Sequence, residues 1–471
     1  MLVAVAALPI AACALPVEAP IEARALSLGL AAREEPSVLH EAFDLMPESV
    51  STTATRAVAS TDVAAPAHVT YWRAAAQAYA LPVRRALATW QRRLHEQDGA
   101  GLPGDLGLGA EVDDVEDLDA ALVLRASVDI LGILGLGPYE AAKALATAEA
   151  RAAFASLDRA LWSARFDVER ARVRLAASRA RIAVRAQLVE DCVDDSVRVA
   201  IFVERDWLAR GPLAAARALI ARAGQDLENE RVLAAQLREV LAARAGLMAD
   251  ATALEAVTPV VLDEYPTTAL VEAQASANAT PASEQETAAR LLATHPNLHA
   301  LMLDYAVAEA RLRRAASDAW PRLRLGAKQR LEPMNLLGSF VDFSFPWPGR
   351  VDAATRAALR ARDEARFVVE EGLREIASRI ETSAARLREA EAALTAARIV
   401  EGSSAAAFAA AQEMWWADTN MLGQFNDALE RRIGGVVAAI HAREQAVLAW
   451  LDWREAMGPD MTPVTEGGSD V

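Results

Sequence analysis

The chain has 471 residues, with 65 acidic against 49 basic side chains and a formal net charge of -16. This balance does not suit a nucleic-acid partner, because phosphate binding needs a concentrated basic face. The two cysteines cannot build a disulfide framework or a four-ligand zinc site. The hydrophobic content of 53% is ample for a folded core, which excludes disorder over most of the chain.

The N-terminus is an uncharged, mostly apolar stretch, residues 1–12, followed by Cys13. It is too short to cross a bilayer as a helix, so it predicts a secretory signal. The order Ile10-Ala11-Ala12-Cys13 resembles the lipobox of bacterial lipoproteins. That resemblance implies that Cys13 carries lipid and anchors the protein to a membrane. A buried or disordered free cysteine is the alternative.

Four long stretches carry apolar residues at alternating steps of four and three, the heptad spacing of helices that pack side by side. The first runs from Ala150 to Val189. Gly211-Pro212 then stops the helix, and the same period returns from Leu213 to Leu241. The second half repeats this plan, outward from Val369 to Ala397 and back from Phe425 to Trp450. The sequence therefore predicts two long helical hairpins.

Shorter segments before each hairpin alternate between apolar and polar residues with a period of two, which is typical of strands with one apolar face. Each half also begins with a shorter helix, about Val69 to His95 and Thr287 to Ala319. The four predicted strands lie near 105–112, 122–131, 322–331 and 339–346.

The same order of elements occurs twice, and the spacing from each strand pair to a closing glycine, Gly246 or Gly458, is nearly equal. This register predicts an internal duplication. The predicted divisions are a lipoprotein-type signal at 1–12, an N-terminal extension at 13–66, a first repeat at 67–250, a linker at 251–286, a second repeat at 287–458 and a tail at 459–471.

The polar face of the third strand is cationic. This face needs water, whereas the opposite apolar face needs lipid or a protein core. Strands of this length suit a tilted bilayer crossing, and in lipid only a closed barrel pairs every strand edge. One chain has fewer strands than the roughly eight of the smallest barrels, so the barrel must be shared between copies. The residues predicted to line its lumen are Arg322, Arg324, Lys328 and Arg330.

The alternative for these cations is pairing with Asp342 and Asp129 on neighbouring strands. The two interpretations differ in their consequence. Free cations in a lumen would favour anionic solutes, whereas paired ones would only stabilise the sheet.

Short motifs punctuate this plan at matching places. They are His295-Pro296-Asn297-Leu298 opening a helix, Ala319-Trp320-Pro321 ending it, the run from Ser344 to Arg350, and the closures Ala245-Gly246-Leu247 and Ala456-Met457-Gly458. Their order and spacing resemble the TolC-type outer-membrane efflux proteins over nearly the whole mature chain. The resemblance implies a mainly α fold with a short membrane β-barrel: a trimer with a twelve-stranded barrel and an α-barrel tunnel through the periplasm. It also implies a passive duct working with an inner-membrane pump and a periplasmic adaptor.

The hairpin tips are the predicted adaptor contacts. Adjacent tryptophans on an Ala-rich helix predict at least one exposed docking residue, and packing into the neighbouring hairpin is the alternative. Asp206 and Asp418 predict acidic rings in an oligomer, with ordinary solvation as the alternative. The candidate contact residues are Trp207, Arg210, Gly211, Trp415, Trp416 and Asp418.

Catalytic motifs are absent from the sequence, so we expect neither an enzyme nor a cofactor. His295 and His299 share a helix start, but no carboxylate or thiol completes a metal site in the sequence. Cys192 lies among acidic residues, which raise the pKa of a thiol and make it unreactive. The alternative function is a periplasmic coiled-coil adaptor or scaffold, in which the strands form a small soluble core.

Overall fold

A computed structural model describes residues 69–100, 107–115, 118–129, 138–206, 208–248, 252–257, 262, 291–292, 294–318, 322–331, 336–344, 348–417 and 422–459. The predicted signal, N-terminal extension and tail lie outside these ranges, as does most of the predicted linker. The elements in chain order are α1 (Val69–Tyr79), α2 (Leu81–Ala100), β1 (Gly107–Val115), β2 (Leu118–Asp129), α3 (Pro138–Glu204), α4 (Gly211–Ala245), a 3-10 turn (Thr252–Ala256), α5 (Pro296–Ser317), β3 (Arg322–Leu331), β4 (Leu336–Ser344), α6 (Pro348–Ala417) and α7 (Leu422–Met457).

The predicted plan of a strand pair followed by a long helical hairpin is confirmed in both halves. The outgoing helices α3 and α6 have 67 and 70 residues, and the returning helices α4 and α7 have 35 and 36. At 1.5 Å per residue the outgoing helices are about 100 Å long. Each returning helix therefore covers only the half of its partner that is nearer the hairpin tip.

Other helices cover the remaining half of α3 and α6. Near the sheet, α2 and α5 pack on α3, and α5 also packs on α6. Near the tips, α4 and α7 pack on α3, and α7 packs on α6. The described helices thus form one continuous wall, in the order α2-α3-α5-α6 near the sheet and α4-α3-α7-α6 near the tips. None of them is long and apolar enough to cross a membrane.

The four strands form a single antiparallel sheet in the order β1-β2-β3-β4. The third strand begins and ends where the sequence predicts, but the others differ by a few residues. β1 and β2 pair beyond the apolar stretch, through a bulge between Asp113 and Val115 to the pair Val115 and Leu118. Periodicity detects the alternating residues and not the backbone hydrogen bonds that extend a strand past them.

The predicted first helix, Val69 to His95, is in fact two helices that meet at Ala80. The reason is Pro82, which has no N–H for the helical hydrogen bond and is tolerated in the first turn of α2. The predicted second short helix, Thr287 to Ala319, is also interrupted: residues 291, 292 and 294 are helical, the helix breaks at His295, and residues 287–290 lie outside the described residues. The helix α5 begins at Pro296, with His295 as its N-cap.

Both closing glycines have left-handed backbone conformations, with φ of 71° at Gly246 and 79° at Gly458. A Cβ on Gly246 would clash with the backbone of Tyr79, at the end of α1. A Cβ on Gly458 would lie 3.2 Å from the ring of His295, just before α5. In each half, the returning helix therefore ends against the segment just before a helix near the sheet. This segment is the end of α1, before α2, in the first half and His295, before α5, in the second.

The largest hydrophobic core surrounds the first of these joints, midway along the molecule. It combines α1, the middle of α3, the end of α4, the 3-10 turn and the end of α7. Its largest fully buried side chains are those of Tyr71, Trp72, Leu157, Leu175, Leu241, Leu254 and Leu451. The predicted residue divisions of the chain stay predictions, but this core joins helices of both halves.

Candidate functional site

The first hairpin tip is a tight reversal between α3 and α4. Asp206 has a φ of 61°, an uncommon value for a residue other than glycine. The N–H of Leu208 donates to the carbonyl of Phe202 at 3.3 Å and closes the turn. Arg210 occupies the N-cap position of α4, where its side chain makes no capping hydrogen bond, and Pro212 follows in the first helical turn.

The predicted contact residues at this tip are surface residues where the structure describes them. Arg210 and Gly211 are exposed, and a Cβ on Gly211 would meet nothing within 4 Å. Asp206 is exposed as well. Trp207 lies outside the described residues. Adaptor docking here and an acidic ring at Asp206 stay predictions.

At the second tip, Trp415 is buried, with 5% of its surface exposed. Its ring stacks on Phe425 of α7, with the two centroids 5.0 Å apart and an interplanar angle of 22°. Burial agrees with the packing alternative for Trp415 and does not favour a docking role within one chain. The side chain of Trp416 and all of Asp418 lie outside the described residues, so their roles stay predictions.

Trp415 belongs to a hydrophobic cluster that joins the two hairpins near their tips. Phe408 of α6 also packs on Phe425, with centroids 5.4 Å apart, and the guanidinium of Arg432 lies 4.7 Å from the Phe408 centroid. This arrangement predicts that the tips of one chain move together. The buried members of this tip cluster are Leu188, Cys192, Val199, Ala223, Phe408, Ala411, Trp415, Phe425, Ala428 and Leu429.

Cys192 of α3 is a buried member of the tip cluster. It lies within the acidic run that the sequence predicts to raise the pKa of its thiol. Burial first, and then the charges of Asp195, Asp191 and Glu430, raise the pKa of its thiol to about 11. The sequence predicted the direction from the acids alone. Burial, which the sequence did not reveal at this position, is the larger cause. The thiol is therefore protonated and a poor nucleophile at neutral pH.

The backbone register shows which residues of the neighbouring strands lie directly across from each predicted lumen cation. Arg324 is opposite Asp129 on β2 and Asp342 on β4, the two acids considered as its alternative partners. Lys328 is opposite Arg125 and Gly338, so its position has no acid directly across from it. Arg322 pairs in register with Ser344, and Arg330 with Val123 and Leu336. The lumen role of these four residues stays a prediction.

His295 has a structural role in this fold. Its side chain accepts a hydrogen bond from the N–H of Asn297 at 3.3 Å and so caps α5. Only 2% of the residue is exposed, and burial lowers the pKa of the imidazole although the backbone of Glu455 and Ala456 opposes this. Among the described residues, no group of three or more histidines, cysteines or acids is arranged to hold a metal ion.

Sequence reasoning missed the partly and fully buried ion pairs that connect the helices. Arg170 of α3 donates to Asp452 of α7 at 2.8 Å and also pairs with Glu455, which Arg379 of α6 contacts at 3.3 Å. These charges line a groove with a volume of about 330 Å³ between α3, α6 and α7. Its lining has three arginines and three acids, so the groove has no excess charge that would select an ion.

A second buried node lies nearer the tips and is centred on Arg181 of α3. Its Nε donates to Glu230 of α4 at 2.9 Å, and its Nη1 donates to Glu444 of α7 at 2.7 Å. One signal could have revealed it. The apolar series skips a slot at Glu230, between Leu227 and Ala234, and another near Glu444.

Solved structures with the same arrangement of helices and strands come from several bacteria. The outer membrane protein VceC of Vibrio cholerae matches with a TM-score of 0.64 and 15% identity, over 83% of this chain and 96% of VceC. The outer membrane channel MtrE of Neisseria gonorrhoeae, in its open state, matches with a TM-score of 0.65 and 15% identity, over 84% and 89%. The outer membrane channel CmeC of Campylobacter jejuni matches with a TM-score of 0.66 and 12% identity, over 83% and 85%.

The chain has the outer-membrane channel fold. The predicted fold class is confirmed to that extent, because an identity of 12–15% shows the architecture alone. A comparison with protein-family models gives no match, and neither does a comparison with curated protein sequences. Within the outer-membrane channel fold, the tips and the sheet are the two ends of the molecule, and the ion-pair nodes lie between them.

Proposed function

We propose that the protein is the outer-membrane channel of a tripartite efflux system. In this proposal it is a passive, trimeric duct for small solutes such as metal ions or drugs, which an inner-membrane pump delivers through a periplasmic adaptor. Lipid on Cys13 would add an anchor to the same membrane. The observation that carries the proposal is an antiparallel four-stranded sheet whose two strand pairs each precede a long helical hairpin, the architecture of solved outer-membrane channels.

The sheet supports a shared barrel because it ends on two strands, β1 and β4, that have one strand neighbour each among the described residues. An unpaired strand edge in lipid leaves backbone polar groups without partners, which is very costly. Neighbouring strands run antiparallel throughout, so β4 of one copy can pair antiparallel with β1 of the next. Three copies would then close a twelve-stranded barrel.

The helical wall supports the same assembly. Near the tips it ends on α4 at one side and on α6 at the other, and both helices carry exposed apolar side chains. The most exposed in this tip half are Val232 on α4 and Ile399 on α6, with 58% and 68% of their surfaces exposed. Contact between α6 of one copy and α4 of the next would cover them and close a tunnel.

A periplasmic adaptor or scaffold is the less favoured alternative. An adaptor would normally have one helical hairpin flanked by β-rich modules, whereas this chain has two equivalent hairpins of nearly equal length. We therefore do not propose this function. Membrane fractionation separates this alternative from the channel.

The membrane location and the shared barrel are tested by fractionating a Gram-negative host that expresses the full chain. We expect the protein in the outer-membrane fraction after a urea wash, and we expect unboiled samples to migrate in SDS gels as an oligomer that boiling dissociates. Recovery of the chain in the soluble periplasmic fraction without detergent would contradict the channel and favour the adaptor.

The adaptor contact is tested with a photo-crosslinking amino acid at the exposed tip residue Arg210. A matched control carries the same amino acid at Arg92, whose side chain is 63% exposed on α2 near the sheet. We expect adducts with a periplasmic adaptor from position 210 only. Equal adduct yields from both positions would contradict docking at the tip.

A further inference from the structure

The Arg181 node connects three helices through one guanidinium. Arg181 on α3, Glu230 on α4 and Glu444 on α7 are each no more than 8% exposed. Ser178 adds a hydrogen bond from its hydroxyl to the same Glu230 oxygen, at 2.8 Å. Burial alone would lower the pKa of Arg181, but hydrogen bonds and charge interactions with Glu444 and Glu230 outweigh it and raise the pKa. Arg181 and the two carboxylates can therefore stay charged while buried only because they pair with each other.

The apolar surroundings of this node are poor at fixing how far one helix slides along another. The seams of α3, α4 and α7 are rich in Ala, Leu and Val at heptad spacing, so a slide of seven residues replaces one small apolar side chain with another. The charges behave differently. Seven residues from Glu230 are Ala223 and Leu237, and seven residues from Glu444 are Val437 and Leu451.

A slide of one heptad in either direction therefore leaves Arg181 facing apolar side chains, as a buried charge without its partners, whereas the two carboxylates would face Leu188 in one direction and Arg174 in the other. Breaking a buried pair in this way is strongly unfavourable, because an uncompensated charge stays out of water. Buried polar groups are best known for this use, which is to select one register among several of similar packing energy. Arg181 is suited to it because one planar fork holds two carboxylates.

We propose that Arg181 is a positioning residue that sets the axial register of α4 and α7 on α3. The node lies about 30 Å from the tips, at 1.5 Å per residue. It would therefore determine how far α4 and α7 extend toward the tips relative to α3. The inference deepens the proposed function, since an adaptor that docks on both tips requires them to lie at matching heights. Its test measures register directly and does not depend on transport.

The experiment measures distances between spin labels in the full chain, with Cys13→Ser and Cys192→Ala and with labelled chains diluted among unlabelled copies. Labels at the exposed positions Glu190 and Ala438 report the α3–α7 register, and labels at Glu190 and Gln236 report the α3–α4 register. The test variant is Arg181→Met with Glu230→Gln and Glu444→Gln, which removes all three charges together. We expect single narrow distances in the parent, and a second population in the variant that corresponds to an axial slide of about 10 Å, one heptad.

The matched control removes the exposed ion pair Arg222–Glu430, which links α4 and α7 at 3.6 Å with side chains 76% and 46% exposed. Arg222→Met with Glu430→Gln should leave both distances narrow. A test variant that also keeps both parental distances would overturn the proposal, since apolar packing alone would then set the register.

A second variant covers the case in which the triple variant does not fold. Glu444→Gln alone leaves Arg181 paired with Glu230, so only the α3–α7 distance should broaden and the α3–α4 distance should stay narrow. No change in either distance would contradict the role of Arg181. Absence of channel conductance in the parent, with both distances narrow, would instead count against the proposed function and leave the register proposal standing.

Discussion

At the scale of single residues, Gly246 and Gly458 hold the same place in the two halves but differ in their surroundings. Both substitutions place a Cβ on a left-handed backbone, but the Cβ at position 246 also clashes with the backbone of Tyr79, whereas the Cβ at position 458 lies 3.2 Å from the ring of His295. We expect Gly246→Ala to lower the free energy of unfolding by more than about 2 kcal/mol, and Gly458→Ala by about 1 kcal/mol. Thermal melts followed by circular dichroism measure both.

Gly224 provides the matched control for these substitutions. It lies inside α4, and an added Cβ would meet nothing within 4 Å. Gly224→Ala should stabilise the helix by roughly 0.5–1 kcal/mol, because alanine loses less conformational freedom than glycine. Equal melting temperatures for all three variants would contradict the assignment of the joints.

The His295 cap gives the stability a defined pH dependence. Because burial lowers the pKa of His295 below its usual 6.5, the cap stabilises the protein above that value, and this contribution is lost as the pH falls through the folded-state pKa. Protonation at Nδ1 also removes the acceptor for the Asn297 N–H. We expect the parent to lose melting temperature below pH 6.5 more steeply than His295→Asn, which keeps a side-chain acceptor. Parallel curves for the two proteins would contradict a buried neutral cap.

At the scale of elements, the long helices follow from local pattern, but the contacts between them do not. Heptad spacing from Ala150 to Val189 indicates a helix with partners, and Gly211-Pro212 indicates where it reverses. Neither feature shows that Arg181 lies between α4 and α7. Arginine is frequent on α3, and which of its arginines become buried depends on helices that are distant in sequence. The sequence therefore predicts the hairpins but not the nodes.

The tip cluster shows the same limit for a candidate site. The adjacent tryptophans predict an exposed aromatic surface, but Phe425, ten residues from Trp415, provides a stacking partner across the hairpin. Whether an aromatic side chain docks a partner or fills a core depends on the rotation of α6 against α7. Periodicity alone does not determine this rotation when most neighbouring residues are alanine.

Removing the Trp415 ring tests its packing role. Trp415→Ala should lower the free energy of unfolding by about 3–5 kcal/mol, because the cavity left between α6 and α7 fills only partly. The neighbouring Met414 is 46% exposed, so Met414→Ala should change stability by less than about 0.5 kcal/mol. Chemical denaturation followed by circular dichroism compares them. A Trp415→Ala protein as stable as Met414→Ala would show that the ring is not part of the core.

At the scale of the whole molecule, the register of the sheet makes the predicted lumen cations unequal. Arg324 is flanked by Asp129 and Asp342, whereas Lys328 is flanked by Arg125 and Gly338. If the sheet closes as proposed, the charge at Lys328 is less compensated than that at Arg324. Lys328→Gln should therefore reduce anion preference more than Arg324→Gln, as measured by the reversal potential of single channels in a salt gradient. A larger effect of Arg324→Gln would contradict this ranking.

The sheet and the helical wall each end on two open edges, one from the first half of the chain and one from the second. The sheet ends on β1 and β4, and the helical wall near the tips ends on α4 and α6. In each layer, an edge from the first half would meet an edge from the second half of the next copy. This agreement between sheet and helices supports the proposed closed ring of copies.

The central claim is that several copies share one membrane barrel, and native mass spectrometry of the detergent-extracted full-length protein tests it most directly. The account predicts a complex with the mass of three chains, released only when detergent disrupts the outer membrane. A single chain of monomeric mass that remains in solution without detergent would contradict it.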